Sequence, residues 1–272
     1  MKRFDGTYYK HQLGNRTVAF IAGTASDHAF IQVITNEGSR CFRYPLSDYS
    51  PGETVRIGGS LFSKDGIAVN IEERGASIHG TIRYTGLTPL RSDIMGPFRY
   101  LPMQCRHRIV SLYHRLDGGL TLNGETADFS GGTGYIEGDA GSSFPKHYAW
   151  LQCGFPERAC VTVSVADIPF LGRSFRGCIG VVYAGGVEYR LATYLGCRPL
   201  LCEESRIILR QGPLRLEIGI EAAPGRALMA PERGSMAREI RETLRCGARF
   251  RLTRDGEPLF EQSSDSASFE YV

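Results

Sequence analysis

The sequence contains no Cys-x-x-Cys pair, although it holds eight cysteines, at 41, 105, 153, 160, 178, 197, 202 and 246. Zinc ribbons and thioredoxin-type redox sites need that spacing, so neither has support and no metal is expected. Without a paired framework the thiols read as free, mostly buried small hydrophobes of a reducing, cytoplasmic compartment. Net charge is nearly absent: 32 cations against 29 anions leave +3, with the arginines scattered along the chain. Nucleic acid is therefore not an expected partner, and contact with a membrane is expected to be peripheral at most. No run of 18 apolar residues exists to span a bilayer, and the stretch from Met1 to Gly6 lacks an apolar signal core. Neither a Walker loop nor a G-x-S-x-G elbow occurs. Gly132-Thr133-Gly134 is not followed by the third glycine of a dinucleotide fingerprint, so no cofactor is expected.

Glycine is plentiful instead, at 33 of 272 residues, or about 12% against a usual ~7%. Without a collagen period, that density implies many tight turns between short strands. Thr17–Ala22 and His28–Ile34 are apolar runs of strand length, and Asn36-Glu37-Gly38-Ser39 turns into Arg40–Tyr44. Asp65-Gly66 and Asn123-Gly124 are two-residue hairpin signals. A Pro- and Gly-rich stretch from Thr85 to Pro102 is too long to be idle and reads as a segment that carries function or covers an opening. Further strands are expected at 148–154, 159–166, 177–184, 187–195, 205–209, 213–220, 247–253 and 258–261. One helix is expected from Ser235 to Leu244, where Met236, Ile240 and Leu244 recur at i, i+4 and i+8 behind Ser235 as N-cap. The expected class is all-β, roughly fifteen strands in two lipocalin-like antiparallel barrels or sandwiches with one short C-terminal helix. The division is placed at 1–125 and 126–272, with the boundary anywhere between about 105 and 135. The sequence sets no oligomeric state.

Chemistry concentrates in Gly131–Cys153, which holds the single Trp. If 134–139 is extended, Tyr135, Glu137 and Asp139 share one face. Two carboxyls so close repel, and on a buried face one of them retains its proton at neutral pH, as a general acid must. A solvated strand end is the plainer alternative. By the same period Tyr148, Trp150 and Gln152 share a side and can form one wall. His107 and His114, seven apart in one strand, point to opposite faces unless a bulge intervenes, so shared metal ligation is not expected. His107, following the long loop, is a candidate to line a pocket. Lys146 and His147 are expected at the surface. Arg173 and Arg176 are expected to pair with Asp167 rather than clamp Asp139.

This central segment resembles the tocopherol cyclase family, whose pattern runs approximately Y-I-E-x-D-W-G-x-S-F-P-x-x-W-x-W-x-Q. Tyr135, Ile136, Glu137, Asp139, Gly141, Ser143, Phe144, Pro145, Trp150 and Gln152 fall in step with it. Thr88-Pro89-Leu90, Ile94–Pro97, Ser164–Pro169, Leu171–Gly177, Ala230-Pro231 and Gly234–Met236 resemble further stretches in the same order. Three positions depart: Ala140 and Tyr148 stand where the family has Trp, and Gly138 where plant members carry Lys. The resemblance implies an enzyme that closes a chromanol ring on a prenylated quinol or related isoprenoid, by protonating an alkene and capturing the cation with a phenol oxygen. Asp139 is then the first candidate for the acid, with Glu137 raising its pKa or taking the role itself. Phe144, Tyr148 and Trp150 would face the cation. Ser143 and Gln152 would orient the phenol, and Tyr135 and His107 would complete the substrate pocket. A non-catalytic carrier of an apolar ligand is the alternative, and it has no need of a desolvated carboxyl beside that ligand.

Overall fold

A computed structural model describes residues 3–73, 75–170 and 172–272. Met1 and Lys2, and Leu171 of the family-like stretch, lie outside the described residues. The first half forms β1 (Phe4–Leu13), β2 (Arg16–Thr24), β3 (Ala29–Thr35), β4 (Ser39–Tyr44), β5 (Tyr49–Ser50), β6 (Thr54–Ile57), β7 (Ser60–Ser63), β8 (Gly66–Glu73), β9 (Ala76–Thr85), β10 (Cys105–Leu122), β11 (Glu125–Asp128) and β12 (Thr133–Gly141). These pair antiparallel in one sheet, in the order β4-β3-β2-β1-β12-β10-β9-β8-β7-β6-β5, with β11 on β10. The second sheet holds β13 (Tyr148–Phe155), β14 (Ala159–Phe170), β15 (Arg173–Ala184), β16 (Val187–Ala192), β17 (Arg198–Glu203), β18 (Arg206–Gln211), β19 (Leu214–Ile220), β20 (Arg226–Glu232), β21 (Ser235–Arg254) and β22 (Glu257–Tyr271). Its order is β16-β15-β14-β13-β22-β21-β19-β18-β17, with β20 on β21. The chain changes sheet between Gly141 and Tyr148, so segment 126–141, grouped above with the C-terminal half, pairs in the first sheet.

Each sheet curls around its own core. The first packs Phe20, Phe42, Phe62, Ile67 and Ile82; the second packs Val161, Val182, Leu216, Phe250 and Leu252. A third cluster, with Tyr8, Tyr135, Tyr148, Trp150 and Ile240, lies where the two sheets face each other. The hairpin signals hold where positive φ is required: Asn123 and Gly124 have φ of 52° and 90°, the mirror-image turn that Asn-Gly favours.

The expected helix is a strand: Ser235 opens β21, and the described residues form no α-helix. Met236, Ile240 and Leu244 are buried as foreseen. Spacings of four and eight are multiples of two as well as one helical face, so these residues fit a strand equally. Glu242, which a helix with that apolar face would turn to solvent, decides the matter. It lies at an even position of the same row and is fully buried. Ser235 sits at the start of a hairpin strand paired with Glu232 rather than at a helix N-cap.

The long segment between β9 and β10 contributes Met95, Phe98 and Met103 to the wall of an inter-sheet cavity. Arg190 of β16 ties it down by donating to the carbonyls of Ser92 and Asp93, each at 2.7 Å. Phe98 packs edge-on against Tyr194, 5.8 Å between centroids.

Two histidines belong to the first core. His11 meets the Tyr84 hydroxyl at 2.6 Å, and the His114 ring lies 4.4 Å from the Tyr84 ring. Burial holds each imidazole down to about 3, with His114 adding to the effect at His11. Both fold neutral, and their contribution is complete above the unfolded value of 6.5 and lost as pH falls through that value toward 3. His11→Phe is therefore expected to gain on the wild type by about 1.4 kcal/mol per pH unit below 6.5. Denaturant melts at pH 7.5 and pH 5 measure this, and a gap that does not grow on acidification contradicts it.

Candidate active site

The facing surfaces of the two sheets bring polar side chains into an apolar interior. On the first sheet the register aligns Gly6, Asp139 and His107 in one row and Tyr8, Glu137 and Ile109 in the next, across β1, β12 and β10. On the second, Trp150 of β13, Glu270 of β22 and Glu242 of β21 form a row. Directly opposed residues of an antiparallel pair share a face, so each row presents its side chains together. The sheets are stitched across this gap. Tyr8 O–H donates to Glu242 Oε1 at 2.8 Å, Trp150 Nε1–H to Glu137 Oε2 at 3.1 Å and Lys10 Nζ to Gln152 Oε1 at 3.0 Å, and the Tyr135 hydroxyl oxygen lies 3.2 Å from the Thr162 hydroxyl.

Beside these bonds lies a cavity of about 160 Å³. Phe4, Tyr8, Phe144, Tyr148 and Trp150 contribute aromatic rings to its wall, in two sets of edge contacts: Phe4–Phe144–Tyr148 and Tyr8–Trp150. Tyr8 meets Trp150 at 5.5 Å and 74°, and Phe144 meets Tyr148 at 5.9 Å and 84°. The polar residues on the wall include His107, Glu137, Asp139 and Glu270.

His107 lies between the two acids of the β12 motif. Its Nδ1 is 3.1 Å from Asp139 Oδ1 and its Nε2 is 3.4 Å from Glu137 Oε2. Burial opposes a charge on the ring, but Asp139 and then Glu137 outweigh it and hold the imidazolium up to about 9. Glu137 is 5% exposed. Burial raises its carboxyl to about 7; His107 draws it down, Asp139 pushes it up, and the bonds from Tyr135 and Trp150 lower it. Oε2 receives Tyr135 O–H at 2.5 Å, Trp150 Nε1–H at 3.1 Å and the His107 contact. With two hydrogen bonds and the nearby imidazole occupying that oxygen, Oε1 is the oxygen left to carry the proton of the neutral acid.

Asp139 also faces the cavity, and its side chain is 24% exposed. Its partners are His107 and the Cys105 thiol, 3.4 Å from Oδ1. Arg176 binds Asp167 at 2.9 Å, as expected. Arg108, whose guanidinium fills the space a Cβ on Gly138 would need, is bound to Asp5 and Thr7. Lys146 and His147 are exposed.

Three of the expected pocket residues stand off the wall. Tyr135 is buried behind Glu137 and serves it as a hydrogen-bond donor. Gln152 shares the side of Tyr148 and Trp150 but lies beyond the cavity, where it receives Lys10. Ser143 Oγ accepts the Arg233 N–H at 2.8 Å, which pins the turn before β21. Missing from the sequence reading are Tyr8, Lys10, Glu242 and Glu270. Ser266, Ser268 and Glu270 alternate with Ala267 and Phe269, so the polar side of β22 looks like a solvated face. Between stacked sheets that face is interior.

His107, Glu137 and Asp139 are also the described set whose ligand atoms lie within 4.8 Å of one another. A cation could enter there only if the imidazole surrendered one carboxyl, because each ring nitrogen faces an acid.

No protein-family model and no curated protein matches the sequence. Solved structures do match in fold. The AttH-like protein of Nitrosomonas europaea superposes with a TM-score of 0.58 at 12% identity, over 99% of this chain and 93% of that one. Kievitone hydratase from Nectria haematococca gives 0.55 at 12%, over 99% and 88%. CghA gives 0.63 at 10%, over 99% and 88%. At such identities the likeness establishes the shared two-sheet β architecture along essentially the whole chain.

Proposed function

We propose that the protein is an enzyme of the tocopherol cyclase type, which closes a ring on an uncharged prenylated quinol or related isoprenoid by acid catalysis. The observation that carries this reading is Glu137: a carboxyl 5% exposed, in the wall of a largely apolar cavity, that keeps its proton up to about 7. Glu137 Oε1 gives its proton to one alkene carbon, which breaks the π bond and leaves a tertiary cation. Tyr8, Tyr148 and Trp150 present aromatic surface to that cation. The phenol oxygen closes the C–O bond, and its proton returns to the carboxylate, so the product is an isomer of the substrate. His107 holds the charge of Asp139 close by and keeps the spent Glu137 carboxylate from standing alone. The likeness in fold to a hydratase is consistent with this chemistry, because hydration of an alkene also begins with its protonation. No helix among the described residues is long and apolar enough to cross a membrane. We place the reaction in the cytoplasm, with the substrate drawn from an apolar phase.

The test is incubation of purified protein with a prenylated hydroquinone, followed by chromatography and mass spectrometry. A product of unchanged mass that has lost its alkene is expected. Stoichiometric recovery of unaltered, bound quinol would identify a carrier and overturn the enzymatic reading.

A further inference from the structure

Glu270 is an acid that no motif marks. It lines the cavity from the second sheet, opposite the β12 acids, beside its cross-strand partner Trp150. Tyr148 O–H donates to its Oε2 at 2.6 Å, which leaves Oε1 for the cavity. Four carboxyls, those of Glu137, Asp139, Glu242 and Glu270, converge between the sheets, where the cationic side chains are His107 and Lys10. Lys10 Nζ is spent on Gln152 Oε1 and the Ser266 carbonyl, each at 3.0 Å, and does not reach the wall. Arg108 serves a different recess on the other face of β10, and Arg238 stands outside the wall, where it donates to the carbonyls of Pro145 and Lys146 and its charge is felt at the Tyr148 hydroxyl. Among the described lining residues there is neither Lys nor Arg. Four acids with two cations do not all ionise out of water, so protons make up the deficit. Burial and then Glu242 hold the Glu270 carboxyl well above the usual carboxylate range, in keeping with that count.

We propose that the cavity admits only ligands without negative charge and holds them by an oxygen atom that accepts a hydrogen bond from the Glu270 carboxyl. The inference rests on the reading of this cavity as the ligand site and narrows the ligand class. A quinol hydroxyl or a quinone carbonyl satisfies it. A carboxylate or phosphate would bring a further negative charge to a wall with three carboxyls and one imidazolium, at low dielectric and with no cation to spare.

Trp150, the single Trp of the chain, lies in the cavity wall and makes binding visible by fluorescence. Two probes suffice: a prenylated hydroquinone, and the same molecule with a carboxylate replacing one hydroxyl. At pH 7.5 the carboxylate is expected to bind at least about a hundredfold more weakly. Glu270→Ala is expected to weaken the hydroquinone about tenfold, whereas Glu270→Gln, which keeps a donor, stays within about threefold of wild type. Equal affinity for the two probes, or hydroquinone binding untouched by Glu270→Ala, overturns the proposal. If Glu270→Ala does not fold, the two probes on wild type still decide. Selective binding without ring closure would sink the proposed reaction alone, ring closure with equal affinities this inference alone, and binding of neither probe both.

Discussion

Glu137→Gln is expected to lower the rate of ring closure by about 10²–10⁴-fold, the usual worth of a positioned general acid. Asp139→Asn is expected to cost about tenfold or less. The two acids are two residues apart on one face, yet their surroundings differ. Glu137 is buried, and Tyr135, Trp150 and His107 all crowd onto its Oε2, so its proton is directed to a single oxygen. Asp139 is a quarter exposed, and it acts through the 3.1 Å contact that keeps His107 charged. Gln at 137 preserves the shape and the bonds to Tyr135 and Trp150 but offers no transferable proton. Single-turnover rates on folded variants, checked by circular dichroism, measure both. A large loss in Asp139→Asn with a small one in Glu137→Gln would reverse the assignment, and Asp139 would be the acid.

What was legible in the sequence follows the two-residue period. Tyr135, Glu137 and Asp139 share a face, and Tyr148 and Trp150 share another, because in a strand spacing alone decides this. The all-β class was legible from turn chemistry such as Asn123-Gly124. The rest depends on which strands stack. Met236, Ile240 and Leu244 fit either period, and only the burial of Glu242, a tertiary fact, separates strand from helix. Glu270 and Tyr8 lie near opposite ends of the chain, and a polar row on a strand means solvent unless another sheet covers it. For Gln152 the period decides the side of the strand but not the depth. It has the side of Trp150 but sits one pair further along, where the cavity has ended and Lys10 takes its carboxamide.

The rate of ring closure is expected to be level below pH 7 and to fall tenfold per unit above it, about a hundredfold by pH 9. The sign follows from the acid form being the active one: Glu137 keeps its proton up to about 7, and deprotonated enzyme has none to give. Several groups act on that proton. From β10 the His107 imidazolium draws the value down; from β12 Asp139 pushes it up. Glu242 and Glu270 of the second sheet are pushed up by Glu137 in return. His107→Gln removes the one cation in contact with Glu137 and leaves Asp139 in place. The alkaline limb of the variant is therefore expected to move to higher pH, although the loss of the charged partner lowers the maximal rate. A purely structural histidine predicts a lower rate with the limb unmoved. Rate profiles of both proteins from pH 5 to pH 10 separate these outcomes. A limb that stays in place or moves toward acid would show that His107 does not set the proton affinity of Glu137, and the cluster would lose its role in holding the acid.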